Sequence, residues 1–137
     1  MEKVPSSPPV SGTSIRESKT TACIPCVKNH LSAVAGILSE SKRFISNGIK
    51  DPKIVEAIDI ATKELTAAER GDLDPAKVAS LPEKEKEVAE WAAEQTRDLR
   101  HSIDGIRDKE TLEEAIVKAD QINKEMISKF IDLVGTF

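Results

Sequence analysis

The sequence predicts an all-α protein, a four-helix bundle with up-down topology and an extended N-terminal tail. Apolar residues recur every three or four positions along four segments, and the period-two runs of β-branched and aromatic residues that mark strands are missing. Only 3% of the residues are aromatic, so aliphatic side chains must fill the core. Four amphipathic helices joined by mostly short connections are typical of a helical bundle.

Two regions of different composition divide the chain. Residues 1–22 are predicted to be a flexible or partner-docked tail, because they are rich in Pro, Ser and Thr and have almost nothing to bury. Residues 23–137 are predicted to form the helical bundle domain. The residues of the tail that we expect to contact a partner are Pro5, Pro8, Pro9, Ile15 and Arg16.

Prolines and capping residues mark the predicted helix starts. The first helix is expected to begin near Pro25, since proline in the first turn sacrifices no hydrogen bond. Asp51 precedes a proline and is the predicted N-cap of the second helix. Pro82 opens the third helix, and Thr111 and Glu114 fit a capping box for the last one.

The connection after the second helix is predicted to contain one helical turn around Lys77. Each of the four predicted helices presents one apolar face to the core. The predicted core positions are Val27, Leu31, Val34, Leu38, Ser41 and Ile45; Ile54, Ile58, Ala61, Leu65 and Ala68; Val88, Trp91, Gln95, Leu99, Ser102 and Ile106; and Leu112, Ile116, Ala119, Ile122, Met126, Phe130, Leu133 and Phe137.

The charge pattern argues against nucleic acid as a partner. The net charge is −4, and basic residues alternate with acidic ones along the helices instead of forming a basic face. No apolar run approaches the roughly 20 residues that a membrane span requires, and no hydrophobic secretory signal is evident. We therefore expect a cytoplasmic protein that does not insert into membranes.

The Cys23-x-x-Cys26-x-x-x-His30 stretch is the strongest chemical signal. It holds both cysteines of the chain and one of its two histidines, at the predicted start of the first helix. Cys26 and His30 are four residues apart and share a helix face, so Cys23, Cys26 and His30 offer two sulfur ligands and one nitrogen ligand to a tetrahedral metal such as zinc. The positive end of the helix also favours thiolates.

The fourth ligand is not specified by this stretch. His101 is the other histidine, but in an up-down bundle it lies about 28 Å along the third helix, at 1.5 Å per residue, from the end that holds the cysteines. A water molecule or a second chain in a homodimer is an alternative source. The carboxylates predicted near that end are the C-terminal carboxylate and the side chains of Glu64, Glu69, Asp72, Asp74 and Glu83.

Other chemistries remain open for the same residues. Cys23 and Cys26 are also compatible with a reversible disulfide or with inert packing. Iron is an alternative metal, and an iron–sulfur cluster would need ligands beyond His30 and the two thiols. A thioredoxin-like enzyme is disfavoured because no βαβ pattern surrounds the cysteines.

The motif Cys23-x-x-Cys26-x-x-x-His30-Leu31, followed by an Ala- and Glu-rich helix and the pair Arg97-x-x-Arg100, resembles small uncharacterised archaeal and phage helical proteins. The likeness covers about residues 23–105, and it implies a helical fold with a metal at one end but no activity. Asn29 stands where those proteins commonly have lysine. A histidine often seen before their second helix is absent here.

These observations favour a non-enzymatic function. We expect a small metal-binding accessory or regulatory protein that docks on a larger protein complex through its tail and bundle surface, because no catalytic set is recognisable. One alternative is a redox- or oxygen-responsive switch that uses Cys23 and Cys26, through a disulfide or the loss of a metal or cluster. Another is an enzyme with an open zinc position.

Overall fold

The computed structural model describes residues 22–135, and it confirms the all-α class, since all regular secondary structure in this range is helical. Five helices occur there: α1 (Ile24–Ser41), α2 (Pro52–Ala67), α3 (Pro75–Val78), α4 (Glu83–Asp104) and α5 (Lys109–Val134). A 3₁₀ segment, Lys42–Asn47, extends α1, and a π turn, Ala68–Asp72, extends α2. The tail residues expected to contact a partner, Pro5, Pro8, Pro9, Ile15 and Arg16, lie outside the described residues.

Side-chain caps explain where three of the helices begin. The sulfur of Cys23 accepts a hydrogen bond from the backbone N–H of Cys26, 3.2 Å away, at the start of α1. Asp51 caps α2 as predicted, because its carboxylate accepts from the N–H of Lys53 at 2.8 Å, and Asp74 caps α3 in the same way, accepting from the N–H of Ala76 at 2.9 Å. In each case the cap supplies an acceptor to a backbone N–H that has no partner within the helix.

The capping box of α5 differs from the predicted one. Asp108, rather than Thr111, is the N-cap, and Thr111 occupies the third helical position that we had assigned to Glu114. The carboxylate of Asp108 accepts from the N–H of Thr111 at 2.8 Å, while the Thr111 hydroxyl accepts from the N–H of Asp108 at 3.0 Å. The helix thus starts one turn earlier, because aspartate is as good an N-cap as threonine.

Replacing Asp108 with alanine is expected to lower the melting temperature at pH 7, with an effect that fades in acid. The hydrogen bond from Thr111 lowers the pKa of Asp108 from its usual 3.8. Because the folded pKa lies below the unfolded one, the carboxylate stabilises the fold above the unfolded value and loses this effect as the pH falls through the folded value. Thermal melts between pH 7 and pH 2 measure the difference in melting temperature between the wild type and the variant. A difference that does not change with pH would contradict this account.

Helix α1 is the centre of the packing, between α2 and α5. The ammonium group of Lys28 lies over the ring of Phe130 at 5.5 Å, and Lys42 pairs with Glu113 at 3.6 Å. The residue numbers rise along α1 while they fall along α5, so the two helices are antiparallel. None of the helices within residues 22–135 combines the length and apolar character needed to cross a membrane.

The predicted core faces of α1, α2 and α5 are largely confirmed within residues 22–135, and Phe137 lies outside the described residues, but the face of α4 is rotated by one residue. Trp91 is only half-buried at the edge of the core, where the ammonium group of Lys129 lies 4.9 Å from the centre of its ring. Small residues on the buried side of α4 allow it to approach its neighbours closely. The buried residues of α4 are Ala89, Ala92, Thr96, Leu99 and Ile103.

Thr96 is expected to be a weak point of this core. Its side chain is fully buried, and its hydroxyl has no hydrogen-bond partner among the described residues. A buried hydroxyl without a partner costs free energy, so Thr96→Val is expected to raise the free energy of unfolding by about 1 kcal/mol. Thr62→Val is the matched control, because the Thr62 hydroxyl donates to the carbonyl of Ile58 at 2.9 Å. Urea unfolding of both variants tests this; equal effects would contradict it.

Candidate thiol and histidine site

The two cysteines are joined by a disulfide at the start of α1. Their Cα atoms are 5.2 Å apart, with Cys23 as the extended N-cap residue and Cys26 in the first helical turn. Both residues are half-buried, and the buried Ala22 and Ile24 flank Cys23. The predicted proximity of the two sulfurs is therefore present, in the oxidised form, in which neither sulfur is a thiolate.

His30 lies one turn further along α1 and contacts two carboxylates. Its Nδ1 is 2.7 Å from Oε1 of Glu64, and its Nε2 is 3.1 Å from Oδ2 of Asp72. All three side chains are partly buried. The ring of His30 therefore links α1 to α2 and to the π turn.

The π turn after α2 places Asp72 opposite the ring. The N–H of Leu73 donates to the carbonyl of Ala68, five residues earlier, at 2.8 Å. Arg100 of α4 holds the same turn, because its Nε donates to Oε1 of Glu69 at 3.0 Å and a terminal nitrogen lies 3.5 Å from Oε2. The turn carrying Asp72 is thus fixed both by its own backbone and by an ion pair with α4.

Burial raises the pKa of Asp72 above its usual 3.8, and this effect exceeds the opposing attraction of His30 and Lys77. The folded state therefore binds a proton at Asp72 more tightly than the unfolded state does. Its contribution to stability is fully present below the unfolded pKa and is lost as the pH rises through the folded pKa. A neutral group at position 72 should consequently be tolerated by the fold at neutral pH.

The donors do not converge on one point in the oxidised protein. No group of three Cys, His, Asp or Glu side chains within residues 22–135 is arranged to hold a metal ion. The disulfide occupies both sulfurs, and the carboxylates of Glu64 and Asp72 face opposite nitrogens of the ring. The zinc site of Cys23, Cys26 and His30 stays a prediction, and it requires the dithiol form.

The structure assigns different positions to the other predicted ligands. Glu64 and Asp72 meet His30, whereas Glu69 pairs with Arg100 and Asp74 caps α3. His101 is exposed in the last turn of α4. The link from His30 to Glu64 spans 34 residues, and no local pattern in the sequence signals it.

No protein-family model matches the chain, and neither the curated proteins nor the solved structures include one with significant similarity to it. The resemblance to archaeal and phage helical proteins stays a prediction. The geometry of the thiol and histidine site is therefore the main basis for a functional proposal.

Proposed function

We propose that the protein is a small redox-responsive accessory protein that uses Cys23 and Cys26 as a thiol switch and docks on a larger protein complex. The observation that supports this proposal best is the disulfide at the N-terminus of α1, directly after residues 1–22. A cysteine at a helix N-terminus has a stabilised thiolate, which makes it reactive in exchange. We place the protein in the cytoplasm, where a Cys-x-x-Cys pair of this kind cycles instead of remaining a permanent staple.

The switch is a two-electron thiol–disulfide exchange. A small thiol reductant attacks one sulfur of the Cys23–Cys26 bond, a second molecule of it resolves the mixed disulfide, and the products are two cysteine thiols and the oxidised reductant. Reduction removes the covalent link between the N-cap and the first turn of α1. Reduction therefore changes the start of α1, the point at which residues 1–22 are joined to it.

An apolar surface lies beside the switch and provides a docking face. Ile127, Ile131 and Val134 are exposed at four- and three-residue spacing on α5, so they share one side of that helix. This end of α5 adjoins a groove of about 380 Å³. Apolar residues of α1 and α5 and the N-cap residue of α4 line the groove together with Lys84 and Glu85; the apolar ones are Ile24, Pro25, Pro82, Phe130, Leu133 and Val134. We take the four long helices to form an up-down bundle that presents this face next to the disulfide.

A redox titration of the full chain tests the switch. Thiol alkylation and mass measurement across glutathione buffers should give a reversible two-electron transition between roughly −320 and −180 mV, the span of cellular poises. Proteins that co-purify with the chain should differ between oxidised and reduced preparations. The Cys23→Ser, Cys26→Ser double variant should lose this difference. Cysteines that never change state in these buffers, or identical partners in both forms, would overturn the proposal.

Metal binding by the dithiol form is the second candidate function. The observation that favours it is the fixed ring of His30, one turn from Cys26 and next to two carboxylates. Zinc is the proposed metal for Cys23, Cys26 and His30, since it accepts sulfur and nitrogen ligands together; iron and an iron–sulfur cluster are the alternatives. Elemental analysis of protein purified without oxygen tests this, with the double serine variant as the control. Metal-free wild-type protein would exclude it.

A further inference from the structure

The carboxylate of Asp72 has the spacing of a metal ligand relative to His30. Its Oδ2 lies 3.1 Å from the Nε2 of the ring. Two donors bound to one tetrahedral zinc at about 2.0–2.1 Å lie roughly 3.3 Å apart. The two atoms are therefore about as far apart as two ligands of one zinc ion, which would lie to one side of the line that joins them.

We propose that the reduced protein binds zinc through Cys23, Cys26, the Nε2 of His30 and the Oδ2 of Asp72, with Glu64 as the positioning residue for the ring. This inference rests on the metal-binding function proposed above and names the missing fourth ligand. The carboxylate comes from the same chain, so neither His101 nor a second copy is needed.

Glu64 determines which ring nitrogen binds the metal. A histidine that ligates zinc almost always donates its other N–H to a carboxylate or carbonyl, which fixes the tautomer and the ring orientation. The Nδ1 of His30 already lies 2.7 Å from Oε1 of Glu64. Nδ1 would therefore keep its proton and donate it to Glu64, which leaves Nε2 to bind the ion together with Asp72.

The cysteines complete the site once the disulfide is reduced. Cys26 is four residues before His30, so the two side chains lie on the same face of α1. Reduction by a small phosphine or thiol adds two electrons and two protons to the disulfide, and metal binding then releases both thiol protons. Cys23 and Cys26 supply the two sulfur ligands that a hard cation such as magnesium would not select.

Four protein ligands leave no open position on the metal. Such a closed site fixes structure, whereas catalytic zinc keeps one position for water or substrate. The site would join the tail end of α1 to the π turn, and oxidation of the cysteines would release the ion. This arrangement favours a sensor over an enzyme.

Cobalt and zinc titrations of the full chain test the inference. The protein is reduced with a phosphine, freed of it without oxygen, and titrated with Co²⁺ as a spectroscopic probe, then with Zn²⁺ against a chromophoric chelator. We expect one ion per chain and a tetrahedral cobalt spectrum with sulfur-to-metal charge transfer. Asp72→Asn should weaken zinc binding by about 100-fold and shift the cobalt bands, while the exposed Asp98→Asn should change neither.

The role of Glu64 requires its own variants. Glu64→Ala should weaken zinc binding by about 10- to 100-fold with a cobalt spectrum that remains tetrahedral. Glu64→Gln keeps an acceptor for the Nδ1 proton and should recover most of that loss. Glu56→Gln, on an exposed position of the same helix, is the control. Equal affinities for Glu64→Ala and the wild type would overturn the positioning role.

The outcomes separate this inference from the function on which it rests. If the reduced wild-type protein binds neither ion, metal binding and the inference fail together. If it binds zinc and Asp72→Asn binds with the same affinity and spectrum, the inference alone fails. Circular dichroism of each variant checks the fold. A folded Asp72→Asn variant that loses zinc supports the assignment, and X-ray absorption with two sulfurs and two lighter ligands in the wild type would agree with it.

Discussion

Replacing Ile122 with alanine is expected to lower the free energy of unfolding by about 2–5 kcal/mol, the largest effect that we predict for a single substitution. Ile122 is 3% exposed and belongs to the main hydrophobic cluster, to which α1, α2, α4 and α5 all contribute. Truncation removes buried methyl and methylene groups and leaves a cavity that the rigid helices fill only in part. Urea unfolding at pH 7, with thermal melts beside it, measures the change.

Ile131→Ala is the matched control on the same helix. Ile131 is 57% exposed, so its loss should change the free energy of unfolding by no more than about 0.5 kcal/mol. If Ile122→Ala lowered the free energy of unfolding by no more than Ile131→Ala does, α5 would not pack as described. A large loss for Ile131→Ala would instead show that the exposed side of this helix is covered.

His30→Ala is expected to lower the free energy of unfolding of the metal-free, oxidised protein by about 1.5–3 kcal/mol, the range for hydrogen bonds to charged groups. The ring contacts Glu64 at the end of α2 and Asp72 in the π turn. Its removal breaks both contacts. Hydrogen exchange should show faster opening at the π turn, where Asp72 loses its contact.

The exposed His101 provides the comparison for His30. His101→Ala removes the same group from the last turn of α4 and should change the free energy of unfolding by less than about 0.5 kcal/mol. Both variants are measured in the presence of a chelator, so that metal binding does not contribute. Equal stabilities for the two alanine variants would contradict a structural role for the ring.

Much of the fold could be predicted from the sequence, because local rules determine it. The three-four spacing of apolar residues gave the buried faces of α1 and α5, and Asp51 before a proline gave the start of α2. The predicted buried face of α4 was wrong by one residue, because the prediction was aligned on the large apolar Trp91 and not on the small residues beside it. In the structure Ala89 and Ala92 face the core, where a small side chain lets helices approach.

The candidate site could be predicted only in part. The spacing of Cys23, Cys26 and His30 placed three donors on one short segment, and the bundle topology brought carboxylates to the same end. The choice of Glu64 and Asp72 among these carboxylates depends on packing between distant segments and on the π turn, neither of which has a local signature. The oxidation state of the two cysteines depends on the surrounding reductant and not on the sequence.

The π turn makes the position of Asp72 sensitive to the deletion of a single residue. A π turn holds one more residue than the α-helical turn that it replaces, so it is equivalent to a one-residue insertion into a helix. Deleting Gly71, which lies in this turn, would restore the ordinary helical count and rotate Asp72 by about 100° around the helix axis. The carboxylate would then point away from His30. The presence of this site in the fold therefore depends on a single codon.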